Sequence, residues 1–323
     1  MSNVLADLLA ERDYLIADGA TGTNMMARGL PAGRPPDLWN ADGQEHVSWL
    51  HESFIEAGAD IILTNTFGSN PCRLKLDKAA ERTHEINFKG AQLARAAADA
   101  ADRPVVVAGS VGPTGEMMEP FGTLTSEAAE AAFFEQTSAL AEGGVDVIWI
   151  ETIFAFDELA AAIRAGQRTG LPVASTMTFD TASRTMMGDT AESAVNFTHQ
   201  FDPRLIAFGA NCGSGPSMLI DTVVGLCEAA DEHDVIIAKG NCGIPQMIDG
   251  EIIYSGTNEV MAEYARLARD CGARIIGGCC GTTPERLKAI VEALDGYEPK
   301  APPSQEEIVA ALGPIKVPPP GSV

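Results

Sequence analysis

Three of the seven cysteines, Cys212, Cys279 and Cys280, follow short apolar runs that close on Asn211 or on Gly277-Gly278. Three thiolates around one Zn2+ make a tetrahedral site with a single position left over, and an open fourth position is what separates a catalytic zinc from a structural one. Adjacent cysteines point to opposite faces of a regular strand. Both Cys279 and Cys280 therefore reach one ion only if the backbone bends, which Gly277, Gly278 and Gly281 permit. Taken alone, Cys279-Cys280 reads as a buried pair beside a Gly-rich turn, and Cys212 at a matching position is what turns the reading toward a metal. Cys242 is a rival ligand, since a fourth thiolate would close the site.

Other chemistries compete for the same residues. Gly277 to Thr283 before a helix is also the pattern of a phosphate-binding loop, and Lys239 is then a candidate Schiff-base lysine of a barrel lyase. Adjacent cysteines have no task in phosphate binding, which favours the metal. His46, His51, His84, His199 and His233 fall in helix-like or loop segments and read as solvated positions rather than ligands. Cys72, Cys227 and Cys271 read as small apolar residues, and an odd set without small-scaffold spacing excludes a disulfide framework.

What must position these side chains is a set of eight apolar runs: 14–18, 60–64, 105–110, 145–151, 173–178, 205–211, 235–239 and 274–278. They alternate with amphipathic stretches, the pattern of βα units, and eight of them favour a closed α/β (β/α)8 TIM barrel in a single domain over an open sheet. Chemistry then belongs at the strand ends: Asp18, Thr64 to Phe67, Ser110, Glu151, Thr178 to Asp180, Asn211-Cys212, Lys239 to Asn241 and Gly278 to Gly281. Ser126 with Glu127 can start a helix that Gly143-Gly144 stops near Glu142, and Thr283-Pro284-Glu285 opens the last barrel helix. The barrel is expected over 1–296, with 297–323 a Pro-rich tail holding one short helix near 306–312.

A formal charge of −23 repels nucleic-acid phosphates and anionic lipid, so neither is an expected partner. There is no run of membrane-spanning length and no basic, apolar leader after Met1, which points to a cytoplasmic protein.

The pair Asn211-Cys212 with Gly277-Gly278-Cys279-Cys280-Gly281 resembles the zinc signature of the homocysteine S-methyltransferase family. Further runs agree in order: Asp18-Gly19-Ala20-Thr21-Gly22-Thr23, Asn65-Thr66-Phe67-Gly68, Gly112-Pro113-Thr114-Gly115, Glu151-Thr152, Met177-Thr178-Phe179-Asp180 and Gly240-Asn241. The resemblance implies zinc on Cys212, Cys279 and Cys280, with Asn241 a weak fourth ligand that the homocysteine thiol displaces before it takes a methyl group to become methionine. It also implies Asp18 and Glu151 around the substrate ammonium, and the amides of Gly19 and Ala20 with the Thr66 hydroxyl on its carboxylate.

The methyl donor is not fixed by these residues. Trp39 and Phe67 fit the aromatic seat of the betaine-type members, which carry tyrosines where Gly68 and Thr152 stand. The strings Asn65 to Gly68 and Gly281 to Glu285 are more similar to the homocysteine module of cobalamin-dependent methionine synthase, implying a corrinoid-carrying partner protein docked over the barrel mouth. S-methylmethionine is a third donor within the family. A non-catalytic barrel that binds zinc or an amino acid is the alternative of a different class.

Overall fold

Runs such as Ile61-Ile62-Leu63 and Val147-Ile148-Trp149-Ile150 bury every side chain, which requires a sheet covered on both faces. The structure is a computed structural model that describes residues 3–31, 33–180, 182–248 and 251–315. Its strands are β1 (Leu15–Ile16), β2 (Ile61–Leu63), β3 (Val106–Val111), β4 (Val147–Ile153), β5 (Val173–Met177), β6 (Ala207–Cys212), β7 (Ile236–Gly240), β8 (Pro245–Ile248), β9 (Glu251–Tyr254) and β10 (Ile275–Gly278). Eight of these pair in parallel in the order β1-β10-β7-β6-β5-β4-β3-β2. A parallel bridge between Ala17 and Ile61 joins the two ends, with Asp60 N donating to Ile16 O at 2.7 Å and Asp18 N to Ile61 O at 2.9 Å. The eight runs expected from the sequence are the eight strands of this (β/α)8 barrel.

Alternate strand residues divide the core. Leu15, Ile61, Val106, Val147, Trp149, Ile237 and Ile275 fill one apolar cluster together with Leu5, Leu8 and Leu9 of the helix Val4–Glu11. The other strand residues, Ile16, Ile62, Val107, Ile148 and Ile276 among them, pack in the larger cluster with residues of the surrounding helices.

Several local expectations shift. The helix Ser126–Glu142 is capped by Thr125, whose side chain accepts from Ala128 N, and it is Gly144 rather than Gly143 that turns left-handed, at φ +94°. Thr283 does cap the helix Pro284–Leu294. His51 is not solvated: it lies 1% exposed within the helix Gln44–Ala57. The antiparallel pair β8–β9 was not expected, and it places Tyr254 over the end of the barrel.

In the tail, Ser304 and Glu307 form a capping box that opens the helix Gln305–Leu312. Ile308 is buried, and Ser217 Oγ donates to Leu312 O at 3.0 Å, fixing this helix to Pro216–Ala229. The prolines at 318, 319 and 320 lie outside the described residues. Among the described residues no helix is long and apolar enough to cross a membrane.

Candidate metal centre and substrate site

The ends of β6 and β10 bring Cys212, Cys279 and Cys280 together, their Sγ atoms all within 4.8 Å of one another. Cys212 holds φ +63°, an uncommon conformation for a non-glycine residue that turns the chain sharply out of β6. Cys279 N donates to Gly240 O at 2.7 Å, Cys242 N to Cys280 O at 2.9 Å and Thr282 N to Cys279 O at 3.0 Å, so the cysteine turn is stitched to the end of β7. The glycines divide their work differently from the sequence expectation. Gly281 alone adopts positive φ (+78°), whereas Gly277 and Gly278 stay in β10 and allow close approach: a Cβ on Gly278 would lie 2.3 Å from Thr282.

The three thiols resist ionisation by themselves. Hydrogen bonding to Cys279, reinforced by burial, pushes Cys212 up to about 12, and hydrogen bonding to Cys212 together with burial pushes Cys280 up to about 11. A cation between the sulfurs would supply the missing counter-charge and make them thiolates. Asn241, whose side chain interacts with Cys212, offers an oxygen donor beside the trio. Asn241 is buried, its Nδ2 donates to Gly213 O at 2.8 Å, and its Oδ1 has no hydrogen-bond partner among the described residues. Cys242 is fully buried outside the trio, with its Sγ toward Gly256, so the group is a three-thiol set.

A charged cluster shares the same end of the barrel. Lys239 Nζ donates to Asp18 Oδ1 at 2.7 Å and to Asp18 O at 3.2 Å, and Leu63 N donates to Asp18 Oδ2 at 2.7 Å. Glu151 accepts from Ser110 Oγ at 2.5 Å. Burial raises the pKa of both carboxyls, with Lys239 opposing. Burial also works against the lysine ammonium, but the Asp18 and Glu151 carboxylates outweigh it and hold Lys239 above its ordinary range. Buried and committed to Asp18, the Lys239 amine is poorly placed to act as a Schiff-base nucleophile.

The remaining expected contacts are distributed as follows. Gly19 packs where a Cβ would meet Thr282 O at 2.7 Å and the ring of Phe54. Ala20 N donates to Thr282 O at 3.1 Å, and the Thr66 hydroxyl to Ser110 O at 2.7 Å, so both donors are engaged within the barrel wall. Trp39 stacks on His46, ring centroids 4.3 Å apart, while Phe67 packs beside Gly112 and is 37% exposed. Tyr254, not expected at the site, packs against Gly281 beside the cysteine pair. Asn211, expected only as the strand-end residue before Cys212, reaches Cys279 Sγ at 3.7 Å. A separate cavity of about 110 Å³, lined by Ser214, Gly256, Leu312 and Pro314 among others, contains none of the thiols.

Comparison with known proteins follows the same lines. The profile of a family described as homocysteine S-methyltransferase matches residues 15–294. A methionine synthase from Mycobacterium tuberculosis is 29% identical over 327 residues, which cover 95% of this chain and 27% of that protein, so the chain spans about a quarter of that relative. Crystal structures of the homocysteine methyltransferase MmuM from Escherichia coli superpose with a TM-score of 0.75 in the oxidized form and 0.74 in the metallated form, both at 25% identity. They cover 90% and 89% of this chain, and 99% of MmuM in each case.

Proposed function

The chain belongs to the homocysteine S-methyltransferase family, and from that premise we propose that it holds zinc on Cys212, Cys279 and Cys280 and methylates the sulfur of homocysteine to give methionine. The observation that carries this reading is the juxtaposition of three thiols, each poorly acidic alone, with Asn241, whose Oδ1 has no hydrogen-bond partner among the described residues. When bound, zinc supplies the Lewis acidity by which a coordinating thiol gives up its proton at neutral pH.

The chain's own residues do the rest. Glu151 and Asp18 accept from the substrate ammonium, which needs carboxylate partners in a buried mouth. Lys239 opposes the burial penalty on Asp18 and anchors it, leaving Glu151, bonded on one oxygen to Ser110, as the more available acceptor. Gly19 lets the chain pass close to Thr282, and its amide is the donor proposed for the carboxylate. A reducing cytoplasm suits three free thiols.

We read the donor as a methylcorrinoid carried by a partner protein. Support comes from large apolar side chains left exposed on connections that follow barrel strands: Phe67 after β2, Met117 and Phe121 after β3, Met186 and Met187 after β5, and Ile253 on β9. Exposed apolar groups gathered at one end of a barrel suit protein docking, and methionine adapts readily to a partner. A betaine seat gains no such support, because the Trp39 ring is stacked on His46. The test is to incubate zinc-loaded protein and homocysteine separately with methylcobalamin, betaine and S-methylmethionine, reading methionine by mass. Methionine from the corrinoid alone supports the proposal, and methionine from either other arm replaces the donor. Stoichiometric zinc without methionine in any arm leaves a non-catalytic binding barrel.

A further inference from the structure

Asn211 is fully buried, precedes Cys212 at the end of β6, and uses its whole hydrogen-bonding capacity on residues outside its own strand. Its Oδ1 accepts from Thr152 N at 3.0 Å and from Thr176 Oγ1 at 2.7 Å, while its Nδ2 donates to Thr152 Oγ1 at 2.8 Å and faces Cys279 Sγ at 3.7 Å. The orientation of the carboxamide follows from chemistry. A backbone N–H can only donate, so the oxygen must face Thr152 N, and the amide nitrogen is thereby turned to the sulfur.

Thr152 is the residue after Glu151, and it sits at φ +65°, which a β-branched residue adopts only when its surroundings impose it. The β4–β5 register shifts between Ile150 and Ile153, so β4 bulges at Glu151 and Thr152 before it resumes pairing at Ile153. The two hydrogen bonds from Asn211 hold that bulge.

We infer that Asn211 is a positioning residue that ties the cysteine trio to the ammonium acceptor: one edge of its carboxamide orients and polarises Cys279, and the other fixes the bulge that aims Glu151. The inference rests on the proposed zinc and homocysteine site. An N–H···S bond withdraws charge from a metal-bound thiolate, and losing an outer-shell partner of this kind weakens metal retention by about 10–100-fold.

The experiment uses Asn211→Asp and Thr152→Gly in the full chain. Asn211→Asp keeps an acceptor for Thr152 N and replaces the N–H facing sulfur with a carboxylate oxygen. Expected results are zinc affinity at least about 10-fold weaker by chelator competition and a red-shifted thiolate-to-metal charge-transfer band in the cobalt-loaded protein. Thr152→Gly removes the hydroxyl at a backbone angle that glycine adopts freely, so it tests the other edge without local strain. Its homocysteine affinity should fall severalfold by calorimetry, with the cobalt band unchanged. An unchanged band and zinc affinity in Asn211→Asp, or unchanged homocysteine binding in Thr152→Gly, overturns the inference. Should Asn211→Asp not fold, Thr152→Gly decides alone. If the unsubstituted protein retains no zinc or binds no homocysteine, the proposed function fails instead, which the same measurements reveal.

Discussion

Lys239 and Asp18 form an ion pair of 2.7 Å whose two side chains are almost completely withdrawn from solvent. The pair sits on the closing seam of the barrel, since Asp18 follows β1 and also accepts from Leu63 on β2, while Lys239 belongs to β7. A buried pair is weak evidence for net stability, but breaking one strands an uncompensated charge.

Lys239→Met is therefore expected to destabilise the fold by roughly 3–5 kcal/mol, measured by urea unfolding. Lys239→Met with Asp18→Asn should recover much of that loss, because the second change removes the stranded carboxylate. A double variant as unstable as the sum of the two single ones would show that the pair is not the unit of stability.

The metal reading separates the cysteines cleanly. Cys212→Ala, Cys279→Ala and Cys280→Ala should each reduce bound zinc and methionine formation to background, a larger effect than the ~10–100-fold of an outer-shell loss. Cys242→Ala should retain zinc, because its sulfur faces Gly256. Metal analysis of the purified variants checks both halves, and an active zinc-free trio variant would sink the mechanism.

How much of this was legible in the sequence varied with the kind of signal. The barrel strands were readable because a parallel sheet buries both faces, so Ile61-Ile62-Leu63 and Ile275-Ile276 stand out as uninterrupted apolar runs. The cysteines were readable because they end such runs. The pair β8–β9 was overlooked although Asp249-Gly250 between Met247-Ile248 and Ile252-Ile253 is a strong hairpin signal, and Tyr254 was lost with it. Asn211 stands out in the sequence only as a strand-end and motif residue, since its role depends on Thr152, Thr176 and Cys279, which converge only when the barrel closes. His51 was misplaced because a lone polar residue on a helix carries no mark of which face it occupies.

His51 makes stability acid-sensitive. Both ring nitrogens are buried without hydrogen-bond partners among the described residues, and burial pushes the pKa from 6.5 down to about 4. Between those values the unfolded chain binds the proton and the folded one does not. Stability is then fully present above the unfolded pKa and is lost as pH falls through the window to the folded pKa, by roughly 3 kcal/mol in all. His51→Phe should flatten the urea midpoint across that window, and parallel pH profiles for the two proteins would refute the assignment.

The tail helix Gln305–Leu312 has eight residues, too few to be helical alone, so it exists through what it buries. Ile308, 1% exposed, is the one fully covered apolar side chain on it. Ile308→Ala should cost about 2–5 kcal/mol of local stability. Because the helix lies outside the barrel ladder and packs on the outer helices Pro216–Ala229 and Asn258–Cys271, that loss should appear as local opening rather than as early melting of the whole fold. Native-state hydrogen exchange should show protection of 305–312 reduced roughly 30-fold or more, the factor that ~2 kcal/mol corresponds to, with β3 to β6 unaffected. A matching loss of protection in those strands would mean that the tail and the barrel unfold as one unit.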